Sequence, residues 1–357
     1  MGFDMFWGTE PEWRDKMKKY GNIQPSFDVN RIELAKALPL ATPFTVILDA
    51  GEVCNFKCNY CFRSEEDKKA WGYAIENNFM SKEIFELAVS QILLFPDAVR
   101  QISLSHQGEP LANRNLPWMV RYLKEKGVKG RVSIHTNGSL LTPEYAEDLA
   151  DSEIDRIIVS LQGLSEEKYR SVCGYPIDFE KFYSNLAYFY KIKKNTLLCI
   201  KIIDSALGEG EEENFYDMFS PIADRVYVEK VTPIWKEKDY SNLGIEKRED
   251  LAFNKYGTGF QPQKVCPLIF HTIVVIPNGD VYPCTQLLQE EKLGNIREKT
   301  LLEMWNGAQR RDMLVQQCKF CAPKLCEDCG IRQNTIYAKE DMLDDYREEI
   351  LSRLDRV

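Results

Sequence analysis

The chain has 357 residues, 44% hydrophobic and 28% charged, which suits one large α/β domain plus a smaller module. A net charge of −9 with no basic stripe argues against a nucleic-acid partner, because neutralising phosphates needs a basic face. No segment approaches roughly 18 uninterrupted apolar residues, and the first residues fit neither a signal peptide nor a myristoylation pattern, so a cytoplasmic protein without a membrane partner is expected.

In that compartment eleven cysteines point to metal or redox chemistry rather than disulfides. Most fall into two groups: Cys54, Cys58 and Cys61, then Cys266, Cys284, Cys318, Cys321, Cys326 and Cys329. Cys173 and Cys199 stand apart.

Residues 1–43 read as an N-terminal extension. From 44 to 232, six β-branched runs recur with amphipathic stretches between them: TVILDAG, QISLSHQG, RVSIHTNG, RIIVSLQG, LLCIKIID and RVYVEKVT. Ser81 is placed to cap SKEIFELAVSQILLF, and Thr142 with Pro143 to open TPEYAEDLA. Strand, helix and strand at this rhythm predict right-handed parallel βα units. Strands that are apolar until their C-terminal ends belong in a barrel or a doubly wound sheet, with chemistry at the polar edge. Six units predict a partial (β/α)6 TIM-like barrel; a flavodoxin-like open sheet is the competing arrangement.

That edge offers the cysteine loop after the first strand, then His106, Gln107 and Glu109, then His135, Thr136 and Asn137. Ser160 and Gln162, Lys201 and Asp204, and Glu229 with Lys230 follow on later strands. Beyond 232 a polar connection, KEKDYSNLGIEKRED, leads into a metal-organised module reaching about residue 330. In the tail, 331–357, DMLDDYREEILSRL reads as an amphipathic helix packed on the surface.

The loop GEVCNFKCNYCFR gathers Cys54, Cys58 and Cys61 within a few residues. Three thiolates could hold zinc if a distant residue supplied the fourth ligand. In a [4Fe–4S] cluster they would leave one iron open to something that is not protein. With Tyr60 before the third cysteine, this loop resembles the signature of the radical S-adenosylmethionine (radical SAM) superfamily. The resemblance implies that S-adenosylmethionine chelates the open iron and, on reduction, yields a radical that abstracts hydrogen from a substrate. QGEP, residues 107–110, is similar to the family's GGEP, with Gln107 in place of the first glycine. It implies contacts from Gln107, Gly108 and Glu109 to the methionine amino group, and makes Thr136, Asn137 and Ser160 candidates for the ribose and carboxylate. Tyr60 is the candidate for the adenine, and Lys201 a further cofactor candidate.

Cys266-x12-Gly279-x4-Cys284 followed by Cys318-x2-Cys321-x4-Cys326-x2-Cys329 resembles the superfamily's SPASM extension, which houses auxiliary iron–sulfur clusters. Its final cysteine is absent here. Six cysteines therefore imply either two clusters with other or open ligands, or one four-cysteine cluster of the smaller "twitch" type. A structural zinc knuckle at 318–329 is the rival reading. A flavodoxin- or ferredoxin-type electron donor is implied.

Cys173 is weighed as a hydrogen-atom donor near the barrel mouth against a buried apolar cysteine, and Cys199 reads as core. His271 reads as a packed residue and GEGEEE, 208–213, as a solvated loop. His106, Glu229 and Lys230 are candidate bases. In sulfatase-maturing members an aspartate follows the cysteine of the GxxxxC segment, whereas Thr285 stands here, and the residues before the first strand are too few for a peptide-recognition domain. The resulting expectation is oxidation or epimerisation of a carbinol carbon in a sugar or aminocyclitol. The alternatives are a peptide- or protein-modifying enzyme and a zinc-stabilised binding protein.

Overall fold

The computed structural model of the chain describes residues 19–24, 31–65, 76, 78–235, 238–243, 263–286, 291–322, 326, 329–334 and 338–355. The first 18 residues and most of the polar connection 236–250 lie outside the described residues.

All six expected strands form: β1 Thr45–Leu48, β2 Gln101–Ser103, β3 Arg131–Thr136, β4 Arg156–Leu161, β5 Leu197–Ile203 and β6 Arg225–Glu229. Each pairs in parallel with the next, β1 with β2 through to β5 with β6. Helices α1 Lys82–Ile92, α2 Leu116–Glu125 and α3 Pro143–Asp151 cross back between successive strands, α4 Glu166–Cys173 and α5 Phe179–Ile192 share the fourth connection, and α6 Glu211–Phe219 completes the set. The strands are mostly buried on both faces, as a sheet covered by helices requires.

The caps follow the sequence. Ser81 accepts from the Ile84 amide at 3.2 Å, and Thr142 from the Tyr145 amide at 3.3 Å. The acidic run 208–213, read as a loop, instead places Glu211, Glu212 and Glu213 in the first turn of α6, where negative charge complements the helix dipole.

The six-stranded sheet is open rather than closed, and it continues. Strand β7, Thr272–Val275, pairs in parallel with β1, and β8 Asp280–Tyr282 and β9 Gly294–Asn295 follow antiparallel. The order is therefore β6-β5-β4-β3-β2-β1-β7-β8-β9. The hairpin between β7 and β8 turns at Gly279, whose φ of +90° suits glycine. At the opposite edge, Ile23 bridges Val226 of β6, which covers part of an otherwise unpaired strand.

Helices α7 Leu301–Trp305 and α8 Ala308–Cys318 pack behind this extension. Buried Arg310 lies 3.3 Å from the Trp305 ring centroid and donates to the carbonyls of Trp305 and Ile269 at 3.0 and 2.8 Å. The C-terminal helix is shorter than expected. Asp344–Tyr346 forms a tight turn and only α9, Arg347–Leu354, is α-helical, burying Ile350 and Leu354 against Leu34, Val265 and Leu314. Among the described residues, no helix is long and apolar enough to cross a membrane.

One buried amide joins the two halves. Gln91 of α1 donates to the Ile296 carbonyl at 2.8 Å and accepts from the Leu301 amide at 2.9 Å. Gln91→Leu leaves both backbone groups buried and unpaired, so a loss of about 2–4 kcal/mol in unfolding free energy is expected in denaturant titrations. An unchanged midpoint would show that water replaces the amide.

Candidate functional site

The polar ends of the strands open onto a cavity of about 550 Å³. The predicted residues Tyr60, Cys61, His106, Gln107, Ser160, Lys201, Glu229 and Lys230 all line it. Sequence reasoning missed Arg31, Asp341, Trp235 and Thr285, which come from segments far from the strands and share its wall. His271, read as a packed residue, lines it as well. Its Nδ1 sits 3.0 Å from the Thr272 hydroxyl, and burial lowers its pKa to about 4.

The cysteine loop leaves β1 and is docked on the end of α4, where the Lys57 and Asn59 amides donate to the Cys173 and Val172 carbonyls at 3.0 and 2.8 Å. The Cys61 amide closes a turn onto the Cys58 carbonyl at 2.9 Å. Burial pushes the Cys54 thiol up to about 11 and holds Cys58 well above its ordinary value, with each thiol opposing ionisation of the others. Loading such a loop needs a cation to draw the protons off. Phe62 packs against Trp235 with ring centroids 4.5 Å apart, and Lys238 donates to the Ser64 hydroxyl at 2.8 Å and pairs with Glu65. The segment after β6 thus straps the loop down.

The QGEP turn is divided in its roles. Both polar side-chain atoms of Gln107 are buried on the cavity wall without a partner among the described residues. That suits a polar ligand in the cavity. Gly108 faces the other way, pressed on the cysteine loop. A Cβ there would lie 2.1 Å from the Gly51 carbonyl oxygen. Glu109 is fully buried and pushed up to about 7 by desolvation; it accepts from the amides of Asn137 at 2.7 Å and Leu111 at 3.0 Å and from the Thr136 hydroxyl. Glu109, Thr136 and Asn137 therefore hold one another. None of the three lines the cavity, so their expected contact with a cofactor is not seen in this arrangement.

Tyr60 donates to the Gln162 side-chain oxygen at 2.6 Å, which sets its ring against the cavity. Lys201 and Glu229 form an ion pair across β5 and β6, and half-exposed Lys230 pairs with Asp204 at 3.3 Å. Arg31 and Asp341 form a second ion pair on the wall.

Cys173 corrects an expectation. Its thiol is buried in the apolar core at the end of α4 and donates to the Tyr169 carbonyl at 2.9 Å, so it does not reach the cavity as a hydrogen donor. Helical geometry is the reason: a cysteine in the last turn finds the carbonyl four residues back. Cys199 lies in the buried middle of β5, as expected.

The C-terminal cysteines divide four to two. Cys266, Cys284, Cys326 and Cys329 line a small separate cavity of about 40 Å³. Cys318 is packed with Leu314, Leu343 and Ile350, and Cys321 is exposed. This corrects the expectation of six converging ligands. Leu268 and Ile331 line both cavities, and Cys284 on the small one precedes Thr285 on the large one, so only a thin wall divides them.

The family model of the radical SAM superfamily matches residues 50–218, and that of the iron–sulfur cluster-binding SPASM domain matches 266–330. The chain belongs to the radical SAM superfamily. A [4Fe–4S] cluster, S-adenosylmethionine and auxiliary iron–sulfur clusters are the cofactors of such a radical SAM enzyme, which sets aside the zinc-binding reading. A serine-type anaerobic sulfatase-maturating enzyme of Bacteroides thetaiotaomicron is 26% identical over 343 residues, covering 79% of this chain and 81% of its own. Streptococcus suis SuiB bound to its precursor peptide SuiA superposes with a TM-score of 0.56 at 18% identity, over 90% of this chain and 73% of its own. Native anSMEcpe with bound AdoMet does so with 0.56 at 18%, over 88% and 96%. Both likenesses are of fold.

The contact between Gly108 and the cysteine loop generates a prediction for this radical SAM enzyme. Gly108→Ala must displace the 51–53 backbone, and a destabilisation near the upper end of the roughly 1–3 kcal/mol that overpacking costs is expected in thermal unfolding. Iron content should fall with it, whereas Gly21→Ala, with open space around its Cα, should leave iron unchanged.

Proposed function

We propose that the chain is a radical SAM enzyme that oxidises a residue of a peptide or protein substrate. The observation that carries this reading is the similarity to the sulfatase-maturating enzyme across four-fifths of both chains. Thr285 stands where sulfatase-maturing members carry an aspartate, so a polypeptide other than a sulfatase is the expected substrate.

In this reading Cys54, Cys58 and Cys61 hold the cluster that binds S-adenosylmethionine, with Gln107, Tyr60 and Ser160 against the cofactor from the cavity wall. When bound, that cofactor supplies the hydrogen-abstracting radical. The Lys201–Glu229 and Arg31–Asp341 pairs orient polar substrate groups on the remaining wall. Trp235 and Phe62 cover the loop with apolar surface and keep water from it. Cys266, Cys284, Cys326 and Cys329 hold one auxiliary cluster behind the Leu268–Ile331 wall, close enough to the cavity to take an electron from it. The family extension has room for more ligands, but Cys318 is committed to an apolar core.

The second reading, oxidation of a sugar-like carbinol, draws on the cavity volume, which falls within the ~300–1,000 Å³ typical of small-molecule sites. Its epimerase form loses support with the Cys173 thiol turned onto Tyr169.

The iron of anaerobically reconstituted protein tests the cysteine assignments. About eight irons per chain are expected, falling by about four in Cys54→Ala/Cys58→Ala/Cys61→Ala, with loss of 5′-deoxyadenosine formation under dithionite. Cys318→Ala should keep all of its iron while Cys284→Ala loses about four. Twelve irons in the wild type would overturn the single auxiliary site. For the substrate, Ser- and Cys-containing peptides incubated with holoenzyme, S-adenosylmethionine and dithionite should lose two hydrogens by mass spectrometry. Inert peptides alongside turnover of a sugar or aminocyclitol would reverse the two readings.

A further inference from the structure

We propose that Asp49 and His106 are a proton-holding pair in the cavity wall that takes up one proton when the neighbouring four-cysteine site takes up one electron. This rests on the reading of Cys266, Cys284, Cys326 and Cys329 as an auxiliary cluster site.

Asp49 ends β1, just before the cysteine loop, and is fully buried. Its Oδ1 accepts from the Gly51 amide at 3.2 Å and its Oδ2 from the Gln107 amide at 3.4 Å. The same Oδ2 lies 3.9 Å from Nδ1 of His106. That nitrogen is buried and has no hydrogen-bond partner among the described residues. The other side of the ring meets the Thr285 main chain, one residue after Cys284. His106 thus stands on the cavity wall between a buried carboxylate and the backbone that carries an auxiliary-site cysteine.

Two buried groups facing each other with one nitrogen unsatisfied make a poor structural contact and a good place for a mobile proton. Desolvation raises Asp49 to about 7, with Glu52 adding to the rise and Arg63 opposing it. Desolvation also lowers His106 to about 4, with Arg63 contributing and the Thr285 main chain opposing. Near neutrality the histidine is therefore uncharged and the carboxyl is close to half-ionised, ready to gain a proton when negative charge arrives nearby.

The balance closes. A substrate C–H bearing a hydroxyl or thiol gives its hydrogen atom to the S-adenosylmethionine-derived radical. The hydroxyl or thiol proton passes to the Asp49–His106 pair, and the remaining electron passes to the auxiliary iron–sulfur cluster, leaving a carbonyl or thiocarbonyl. Linkage is reciprocal: if reduction raises the affinity of the pair for a proton, protonation raises the affinity of the cluster for an electron. His106 would touch the substrate; Asp49 is a positioning residue that acts through it.

The test needs no substrate. In the Cys54→Ala/Cys58→Ala/Cys61→Ala background only the auxiliary cluster contributes to the EPR signal, and its midpoint potential is titrated with dithionite from about pH 6 to about pH 8, the window around the raised carboxyl. The potential is expected to fall as pH rises. Adding Asp49→Asn or His106→Gln should flatten the dependence, while His271→Gln keeps it. The two substitutions are nearly isosteric, and either one that loads iron reports. A flat potential before the second substitution, or a slope that survives both, overturns the pair. The parent enzyme's iron and 5′-deoxyadenosine yield are measured alongside: their absence would defeat the radical SAM reading, whereas a loaded, cleaving enzyme with a flat potential defeats only the pair.

Discussion

Everything at the polar edge depends on the parallel pairing of β1 with β7. Thr45, Val46, Ile47 and Leu48 lie beside Thr272, Ile273, Val274 and Val275, and nearly all of these side chains are buried. Because the strands run the same way, whatever follows β1 and whatever surrounds β7 meet at one end of the sheet. The loop of Cys54, Cys58 and Cys61 follows the first strand, and Cys266 and Cys284 flank the second. A one-residue slip would turn the buried side chains to the wrong face and separate the two thiol groups. Closing so long an intervening segment costs little more than closing a short one, since loop entropy grows only logarithmically with length.

Desolvation is the second constraint, and it acts in one direction throughout. Cys54, Cys58, Cys284, Asp49 and Glu109 are pushed up, and His106 and His271 down, so each group is driven towards its neutral form. Cofactor-free, the site is a set of neutral groups whose proton counts are sensitive to any charge that enters. Cationic clusters reverse this for the thiols, so that loading iron and releasing protons are one event. The Glu109 carboxyl, shared between Thr136 and the Asn137 amide, ties strand ends β2 and β3 into a floor that stays fixed while those charges change.

The βα rhythm was fully legible, because strand periodicity and helix caps are local. The strands, the cap residues Ser81 and Thr142, the cysteine loop and most of the cavity wall follow from it. What was hidden is what only tertiary structure brings together. β7 reads as one more apolar run in a region dominated by cysteines and turns, and nothing local says that it joins β1. Arg31 and Asp341 meet from opposite ends of the chain. Asp49 did carry a signal: a carboxylate that ends an apolar strand immediately before a metal-type loop is badly placed for solvation. Glu109, Thr136 and Asn137 were found correctly as polar strand ends, but pattern alone could not say that they would satisfy one another.

The two CxxC pairs near residue 320 explain why spacing misled at the auxiliary site. Cys318 closes α8 one turn after Leu314, so the helix turns both side chains to the same buried face. The chain then breaks at Phe320, whose φ of +57° reverses its direction, and Cys321 emerges exposed. A CxxC that straddles a helix terminus thus sends its thiols to opposite environments. In Cys326-x2-Cys329 the second amide reaches back to the first carbonyl at 3.4 Å, a turn that leaves both cysteines on the wall of one cavity. Identical spacing therefore gives a ligand pair only where no helix end falls between the cysteines, and here the helical periodicity of DMLVQQC was the sequence feature that separated the two cases.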